Sequence, residues 1–109
     1  MYKRQLLYRA PVSATEQMAD SSPEAAQAGM DLWMAWAGKA GSAIVDMGSP
    51  LAPATTIGAD RAAGDFIGGY SILEAESTDA LRALLDGHPH LELDGAAIEV
   101  HEFLPVPGM

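Results

Sequence analysis

The stretch Gly69-Tyr-Ser-Ile-Leu-Glu-Ala-Glu-Ser77, continued by Gly87-His-Pro-His-Leu91 and Ile98-Glu-Val100, decides the fold. Alternating apolar side chains predict a strand over residues 66–75 and a last strand over residues 97–104. Between these strands, the leucine spacing after Ser77 predicts a helix that Gly87 ends. The C-terminal third therefore reads as strand, helix, histidine-bearing turn and strand.

The first half of the chain predicts a strand, a helix and a second strand. Residues 1–8 form the first strand. Ser22-Pro-Glu24 starts the helix, because serine caps free N–H groups, proline fits the first turn and glutamate complements the helix dipole. The pattern predicts that the helix runs to Lys39 or Ala40 and stops at Gly41, and that residues 42–47 form the next strand.

The remaining segments read as connections. Residues 11–21 predict a connection, and residues 51–65 predict a loop with a short strand at residues 55–57. The order β-α-β-β-α-β is the pattern of an α+β ferredoxin-like fold, in which a four-stranded antiparallel sheet carries two helices on one face. No repeat or linker interrupts residues 1–109, so we expect a single domain.

Two of the strands carry apolar residues at consecutive positions, Ile44-Val45 and Ile72-Leu73. Consecutive apolar residues indicate that both faces of the sheet are buried. Because the helices cover only one face, we expect a homodimer in which a second copy of the chain covers the other face.

Composition and charge exclude several classes of partner. The 109 residues include 15 Asp and Glu against 6 Lys and Arg, which gives a formal net charge of -9. This balance argues against nucleic acid and anionic membrane as partners, since both need clustered cations. The chain has no cysteine, which excludes disulfides and zinc–thiolate sites and suits a reducing compartment. Without a bilayer-length apolar run or a signal peptide, we expect a cytoplasmic protein.

No motif in the sequence predicts a cofactor. Gly68-Gly69 precedes a strand and does not open a helix, so it lacks the geometry of a phosphate-binding loop. The sequence also has no nucleophile elbow and no pattern of a Ser/His/Asp triad. We therefore expect no cofactor, and the candidate sites reduce to single side chains.

His88 and His90, which flank Pro89 after the second helix, are the leading candidates for acid–base chemistry. The partial negative charge of the helix end would raise the pKa of His88 and suit it to proton transfer. The structural alternative is that His88 caps the helix and His90 packs on the turn. A third reading adds Glu92 or Asp94 to both rings as a metal site, but this spacing is weak evidence and we expect no metal.

Four further residues are candidates. Asp46 follows the apolar part of the second strand, where partial desolvation would suit it to general-base work, or it is a turn residue that accepts backbone hydrogen bonds. Trp33 and Trp36 on the first helix line an apolar ligand pocket, or they form ordinary core or dimer packing. Tyr70 has the same two interpretations.

Several of these motifs together resemble the YCII-related family. The resemblance rests on Tyr70-Ser-Ile-Leu-Glu-Ala-Glu-Ser77, Gly87-His-Pro-His-Leu91, Ile98-Glu-Val100 and Pro105-Val-Pro-Gly-Met109. It implies a ferredoxin-like domain that forms a dimeric α+β barrel, with two sheets packed face to face. A few such proteins resemble small-molecule lyases or dehydrochlorinases that use a His–Asp pair.

Two departures limit what the resemblance implies for a site. The Asp-Gly-Pro-Phe segment of one large branch is absent, and Gly64-Asp-Phe-Ile67 stands nearby. Enzyme-like members carry a histidine on the first helix, whereas residues 22–40 contain none. The family's catalytic pair therefore does not carry over, and Asp46 at most occupies the neighbourhood of its acidic partner.

The sequence leaves two functions open. In the first, a YCII-like dimer binds a small, largely apolar organic molecule in a pocket between helix and sheet. Proton transfer or elimination would then use His88 or His90 as the acid or base and Asp46 as an orienting carboxylate. In the second, the chain is a non-catalytic interaction or accessory module, and its histidines and tryptophans stabilise the fold and the dimer.

Overall fold

The computed structural model describes residues 2–108, so Met1 of the predicted first strand and Met109 of the C-terminal motif lie outside it. Within that range, four strands and three α-helices follow one another. They are β1 (Tyr2–Ala10), α1 (Ala14–Asp20), α2 (Pro23–Ala40), β2 (Ile44–Pro50), β3 (Phe66–Ala75), α3 (Thr78–Leu85) and β4 (Ala97–Glu102). Two short 3-10 helices, Gly41–Ala43 and Pro89–Glu92, precede β2 and β4.

Serine caps start the two longer helices. Ser22 is the N-cap of α2, and its side chain accepts a hydrogen bond from the backbone N–H of Ala25 at 3.1 Å. Gly41 follows the last residue of α2 as its C-cap. Its φ of 55° lies in the left-handed region that glycine adopts without strain. Ser77 caps α3 in the same way, on the N–H of Ala80. These contacts confirm the predicted starts of both helices and the predicted end of α2.

The connection predicted over residues 11–21 contains helix α1, so that prediction is wrong. Ser13 caps α1, and its Oγ accepts a hydrogen bond from the N–H of Glu16 at 3.2 Å. The spacing of Ser13 and Glu16 is that of a capping box, which is the signal in the sequence. Seven residues are too few to show helical periodicity, and a helix of this length depends on its packing beside β3.

The four strands form one antiparallel sheet in the order β2-β3-β1-β4. Strand β1 pairs with β3 on one side and with β4 on the other, and β2 pairs with β3 at the far edge. This strand order is that of a ferredoxin-like domain, and α2 and α3 follow β1 and β3 as that fold requires. The predicted α+β fold class is therefore confirmed.

The hydrophobic core lies between the two longer helices and one face of the sheet. Strands β1 and β3 contribute alternate residues, because successive side chains of a strand point to opposite faces. The buried cluster consists of Leu6, Tyr8, Leu73, Ala75, Trp36, Ala40, Leu81 and Leu85. Both helices thus cover the same face. The opposite face carries Leu7, Tyr70 and Ile72.

Strand β2 departs from its predicted course. It was expected over residues 42–47, but it begins at Ile44 and continues through Gly48-Ser49-Pro50, which were expected to break it. Two register shifts in its pairing with β3 make this extension possible. Gly48 has a φ of 77°, and a Cβ at this position would lie 1.7 Å from the carbonyl oxygen of Tyr70. Glycine therefore permits a backbone approach that no other residue allows.

The remaining differences concern the ends of elements and the long loop. The loop over residues 51–65 is present, but its residues 55–57 form no strand and are exposed. Strand β1 extends two residues beyond its predicted end, to Ala10, and β4 ends two residues early, at Glu102.

None of the helices within residues 2–108 has both the length and the apolar character that crossing a bilayer requires.

Candidate functional site

A cavity of about 400 Å³ lies between α1, α2 and the sheet, next to the 3-10 helix Pro89–Glu92. The described residues that line it include no Asp, Glu, Lys or Arg. They are Tyr8, Ala14, Gln17, Met18, Met30, Trp33, Met34, Met47, Gly48, Ser49, Pro50, Gly68, Gly69, Tyr70, Pro89, His90 and Leu93. The volume is within the range of pockets that hold small organic molecules.

Tyr8 forms the buried polar part of the cavity wall. Its hydroxyl donates a hydrogen bond to Ser71 Oγ at 2.8 Å, and Ser71 in turn donates to the Met47 carbonyl oxygen at 2.8 Å. These bonds link the three neighbouring strands β1, β3 and β2. Burial raises the pKa of the Tyr8 hydroxyl, and the hydrogen bond with Ser71 opposes that rise. Tyr8 therefore remains a neutral phenol.

His90 lines the cavity, and a hydrogen bond to the main chain holds its ring. Its Nε2 lies 2.8 Å from the Arg9 carbonyl oxygen, and because a carbonyl only accepts, Nε2 carries the proton. In the neutral ring Nδ1 keeps its lone pair, and this atom forms no hydrogen bond within residues 2–108. The Tyr8 ring packs against the His90 ring, and the two ring centroids are 5.3 Å apart. The cavity lining thus includes an imidazole whose Nδ1 makes no hydrogen bond to the described residues.

His88 lies behind the cavity wall and is fully buried among aromatic rings. Its ring centroid is 4.3 Å from that of Trp36, 4.6 Å from that of Trp33 and 5.2 Å from that of Tyr8. Its Nδ1 accepts a hydrogen bond from the backbone N–H of His90 at 3.0 Å. The proton of the neutral ring is therefore on Nε2, and this buried N–H has no hydrogen-bond partner among the described residues. His88 thus fixes the main chain of His90 from behind.

The surroundings of His88 lower its pKa to about 4, chiefly through burial and secondly through the nearby His90. The predicted rise of this pKa at a helix end is therefore wrong. Helix α3 already ends at Leu85, and the N–H of His88 closes a turn on the Leu85 carbonyl oxygen at 3.1 Å. Because the charged ring would lose its hydration, burial outweighs the helix-end charge and His88 is neutral at pH 7.

The two tryptophans of α2 lie in different surroundings. Trp33 lines the cavity and packs edge-to-face against Tyr8, with ring centroids 5.1 Å apart. Trp36 is 4% exposed and belongs to the core, where its indole N–H donates to the Leu84 carbonyl oxygen at 2.8 Å. Of the two, Trp33 borders the space that a ligand would occupy.

Asp46 lies outside the cavity, whereas Tyr70 borders it. Asp46 is exposed, and its Oδ1 accepts a hydrogen bond from the N–H of Gly48 at 2.8 Å, which is the geometry of a turn residue. Tyr70 lines the cavity, and strand alternation places its side chain on the sheet face opposite to Ser71. Of the six predicted site residues, His90, Trp33 and Tyr70 border the cavity, and His88, Trp36 and Asp46 do not.

The metal reading of the histidines required Glu92 or Asp94 beside both rings. Across residues 2–108, no group of three His, Asp or Glu residues is arranged to hold a metal ion. Both carboxylates are exposed, and each ring uses one nitrogen for the protein's own main chain. The hydrogen bonds of the histidine pair therefore serve the fold of the turn.

Two features of the cavity were not predicted. The sequence pattern predicts Tyr8 only as the end of the first strand. The alternation of Leu6, Tyr8 and Ala10 indicates that these three residues share a buried face. The methionines of the wall carry no local signal, since they are irregularly spaced and only the fold brings them together. They are Met18, Met30, Met34 and Met47.

Comparisons with known proteins bear on the fold. No family model and no curated protein matches the chain. Among solved structures, it is similar to 5-chloro-2-hydroxyhydroquinone dehydrochlorinase (TftG) from Burkholderia phenoliruptrix AC1100, in complex with 2,5-dihydroxybenzoquinone. The TM-score is 0.50, the sequences are 22% identical, and the match covers 93% of each chain. A likeness at this identity shows a shared fold, which agrees with the antiparallel sheet and its helices.

Proposed function

We propose that this chain binds a small, uncharged and mainly apolar organic molecule in the cavity, and that His90 exchanges a proton with it. The observation that carries the proposal is the cavity itself. Its lining combines mainly apolar residues with the His90 imidazole, whose Nε2 is bonded to the main chain and whose Nδ1 makes no hydrogen bond to the described residues. Pockets for small molecules commonly have this composition, with apolar walls and few fixed polar groups. An uncharged ligand is favoured because the described lining residues include no Asp, Glu, Lys or Arg to pair with a buried charge.

In this proposal His90 acts as the general base. When Nδ1 takes a proton from the ligand, Nε2–H remains bonded to the Arg9 carbonyl oxygen, which stabilises the resulting imidazolium. The reaction class is proton transfer or elimination, in which the base takes a proton and a leaving group departs. The name of the similar structure, a dehydrochlorinase, describes such an elimination and supports this class. The resemblance to YCII-related proteins supports it as well.

The other predicted residues have supporting roles in this proposal. His88 holds the main chain of His90 through its Nδ1 and does not meet the ligand. Trp33 supplies an aromatic wall, and Trp36 supports it from the core. Asp46 shapes the turn at Gly48 and takes no part in the chemistry.

A fluorescence titration tests binding, and chloride release tests the chemistry. Phenol, 1-naphthol and 1,4-benzoquinone are the binding probes, and a ligand beside Trp33 should quench its emission. His90→Gln is the test variant, because glutamine keeps a donor for the Arg9 carbonyl oxygen and removes the proton acceptor. Asp46→Asn is the matched control.

We expect wild type and both variants to bind the probes with similar affinity. The wild type and Asp46→Asn should release chloride from 5-chloro-2-hydroxyhydroquinone, whereas His90→Gln should be slower by a factor of about 10² or more. Binding without chloride release in the wild type would refute this chemistry for the probe. The absence of any quenching would refute the binding proposal as well.

We further propose that the chain functions as a homodimer through the uncovered face of the sheet. It exposes 7405 Å² of surface, whereas a folded monomer of 11.4 kDa exposes about 5,800 Å². The excess of about 1,600 Å² is larger than the roughly 800 Å² that each partner buries in a standard interface. The helix-free face carries Leu7, Tyr70 and Ile72, which are half-buried in the single chain and which a second copy would bury further. Such an assembly is the dimeric α+β barrel that the family resemblance implies.

Light scattering, recorded as the protein elutes from a size-exclusion column, measures its molar mass and so tests the proposed dimer. The wild type should have twice the mass of 11.4 kDa at micromolar concentration. Ile72→Asp places a charge in the proposed interface and should give a monomer. Ile57→Asp, in an exposed loop where the residue is 97% accessible, is the control that should remain a dimer. A monomeric wild type would contradict the proposal.

The second candidate function is a non-catalytic homodimeric accessory module in the cytoplasm. The observation that favours it is the buried His88, which makes a structural hydrogen bond and packs against three aromatic rings. This reading predicts a stable dimer that binds none of the probes. The absence of cysteine in the chain suits a reducing compartment under either function.

A further inference from the structure

The methionines of this chain are concentrated in the cavity wall. All four methionines between the two chain ends, Met18, Met30, Met34 and Met47, line the cavity. About one in six of the described residues lines it, so chance placement would put fewer than one of the four there. The concentration of thioethers is therefore a property of the site and not of the overall composition.

These methionines are not used to fill the core. They are 63%, 58%, 60% and 40% exposed in chain order, whereas the buried cluster is made of Leu, Ala, Trp and Tyr. They come from three elements, since Met18 is on α1, Met30 and Met34 are on α2, and Met47 is on β2. The side chains surround the cavity with free space to change rotamer, which a packed core residue does not have.

Another part of the wall is fixed by hydrogen bonds. The Tyr8 hydroxyl donates to Ser71 Oγ, and Ser71 donates to the main-chain carbonyl oxygen of Met47, whose side chain makes no hydrogen bond to the described residues. The His90 ring is bonded to the main chain through Nε2, and its own main chain is bonded to the buried His88. The wall thus combines polar groups held by hydrogen bonds with methionine side chains that are free to adapt.

We propose that the methionine wall makes the cavity accept a series of related ligands. Their common feature is one group that hydrogen-bonds at His90, and they differ in the size of an uncharged, planar apolar body. The unbranched thioether side chain has three rotatable bonds and packs well against aromatic rings, so it can close around bodies of different size. This inference rests on the proposed function, because it assigns breadth of specificity to the same cavity.

A series of phenols of increasing size tests the proposal by fluorescence titration. Phenol, 4-ethylphenol, 1-naphthol and 4-phenylphenol share one hydroxyl and increase in apolar size. The variant is Met30→Leu/Met34→Leu, in which leucine keeps the volume and apolar character but removes rotamer freedom. Leu32→Met is the matched control, because it adds a methionine on α2 at a position that does not line the cavity.

In the wild type and Leu32→Met, Kd should fall along the series as the apolar body grows, because each larger ligand buries more apolar surface. In the double variant, the ratio of its Kd to the wild-type Kd should grow by at least tenfold from phenol to 4-phenylphenol. A ratio that stays constant along the series would overturn the inference while leaving the proposed function in place. If no phenol binds the wild type, the proposed function fails and the inference fails with it.

A second measurement is made first on the protein without ligand. In protein labelled with ¹³C-methyl methionine, the four internal methyl groups should show rotamer-averaged shifts and narrow lines when free. Addition of 1-naphthol should disperse these shifts. Methyl groups that are fixed in the free protein would overturn the inference, even where phenols bind.

Discussion

Acidification from pH 7.5 to pH 5 should destabilise this protein. We expect His88 to account for a defined share of the loss in free energy of unfolding. Burial lowers the pKa of His88 to about 4 in the folded chain, from 6.5 in the unfolded chain. Between these values the unfolded state binds a proton that the folded state does not. The stabilisation is therefore complete above pH 6.5 and falls as the pH drops toward 4. The difference between the two pKa values corresponds to about 3 kcal/mol in the free energy of unfolding. About 2 kcal/mol of this stabilisation is lost by pH 5.

Two substitutions remove this titration from the core. His88→Asn keeps an acceptor for the N–H of His90, because asparagine is a good N-cap. His88→Phe keeps a ring against Trp33 and Trp36 but loses the acceptor. The carboxylates titrate in all three proteins, so the difference in free energy of unfolding between wild type and variant isolates His88. We expect this difference to change by about 2 kcal/mol between pH 7.5 and pH 5, in favour of the variants.

Urea unfolding followed by tryptophan fluorescence measures this difference at several pH values. Protein concentration must be held constant, because the stability of the proposed dimer would depend on it. Parallel pH profiles for the wild type and both variants would refute the account of His88 as a buried neutral ring. An NMR titration of the wild type that places the pKa of His88 near its ordinary value would refute it independently.

Three further changes test packing and hydrogen bonding in the same unfolding assay. Gly48→Ala puts a methyl group 1.7 Å from a carbonyl oxygen and should cost about 3 kcal/mol or more, whereas Gly29→Ala meets no atom within 4 Å and should be neutral or stabilising. Equal effects at the two glycines would contradict the path of β2. Leu81→Ala empties a position that is 2% exposed and should cost about 2–5 kcal/mol, so a negligible loss would argue against the packing of α3. Ser71→Ala leaves the Tyr8 hydroxyl without its acceptor and should cost about 1–3 kcal/mol, and an unchanged stability would count against that bond.

Local chemistry in the sequence predicted the elements whose ends are marked by particular side chains. Ser22 and Gly41 marked the two ends of α2, and Ser77 marked the start of α3. The course of β2 was not predictable in this way, because Gly48 normally signals a break. Here its missing Cβ lets the strand approach β3, and this contact exists only in the folded sheet.

The candidate site was predictable only in part. The sequence singled out His88 and His90, but it did not indicate which of them faces a cavity. That choice depends on Trp33 and Trp36, which enclose His88 once α2 covers the sheet. Burial then lowers the pKa that a reading of the helix end alone would raise. Tyr8 was missed because strand alternation indicates a shared face without indicating which face is covered.

A crystal structure of the protein soaked with 1-naphthol tests the central proposal most directly. We expect the ligand in the cavity between α1, α2 and the sheet, with its hydroxyl within hydrogen-bonding distance of His90 Nδ1 and its rings against the methionine wall. A ligand bound elsewhere while the cavity stays empty, or a cavity closed by the protein's own side chains, would contradict it.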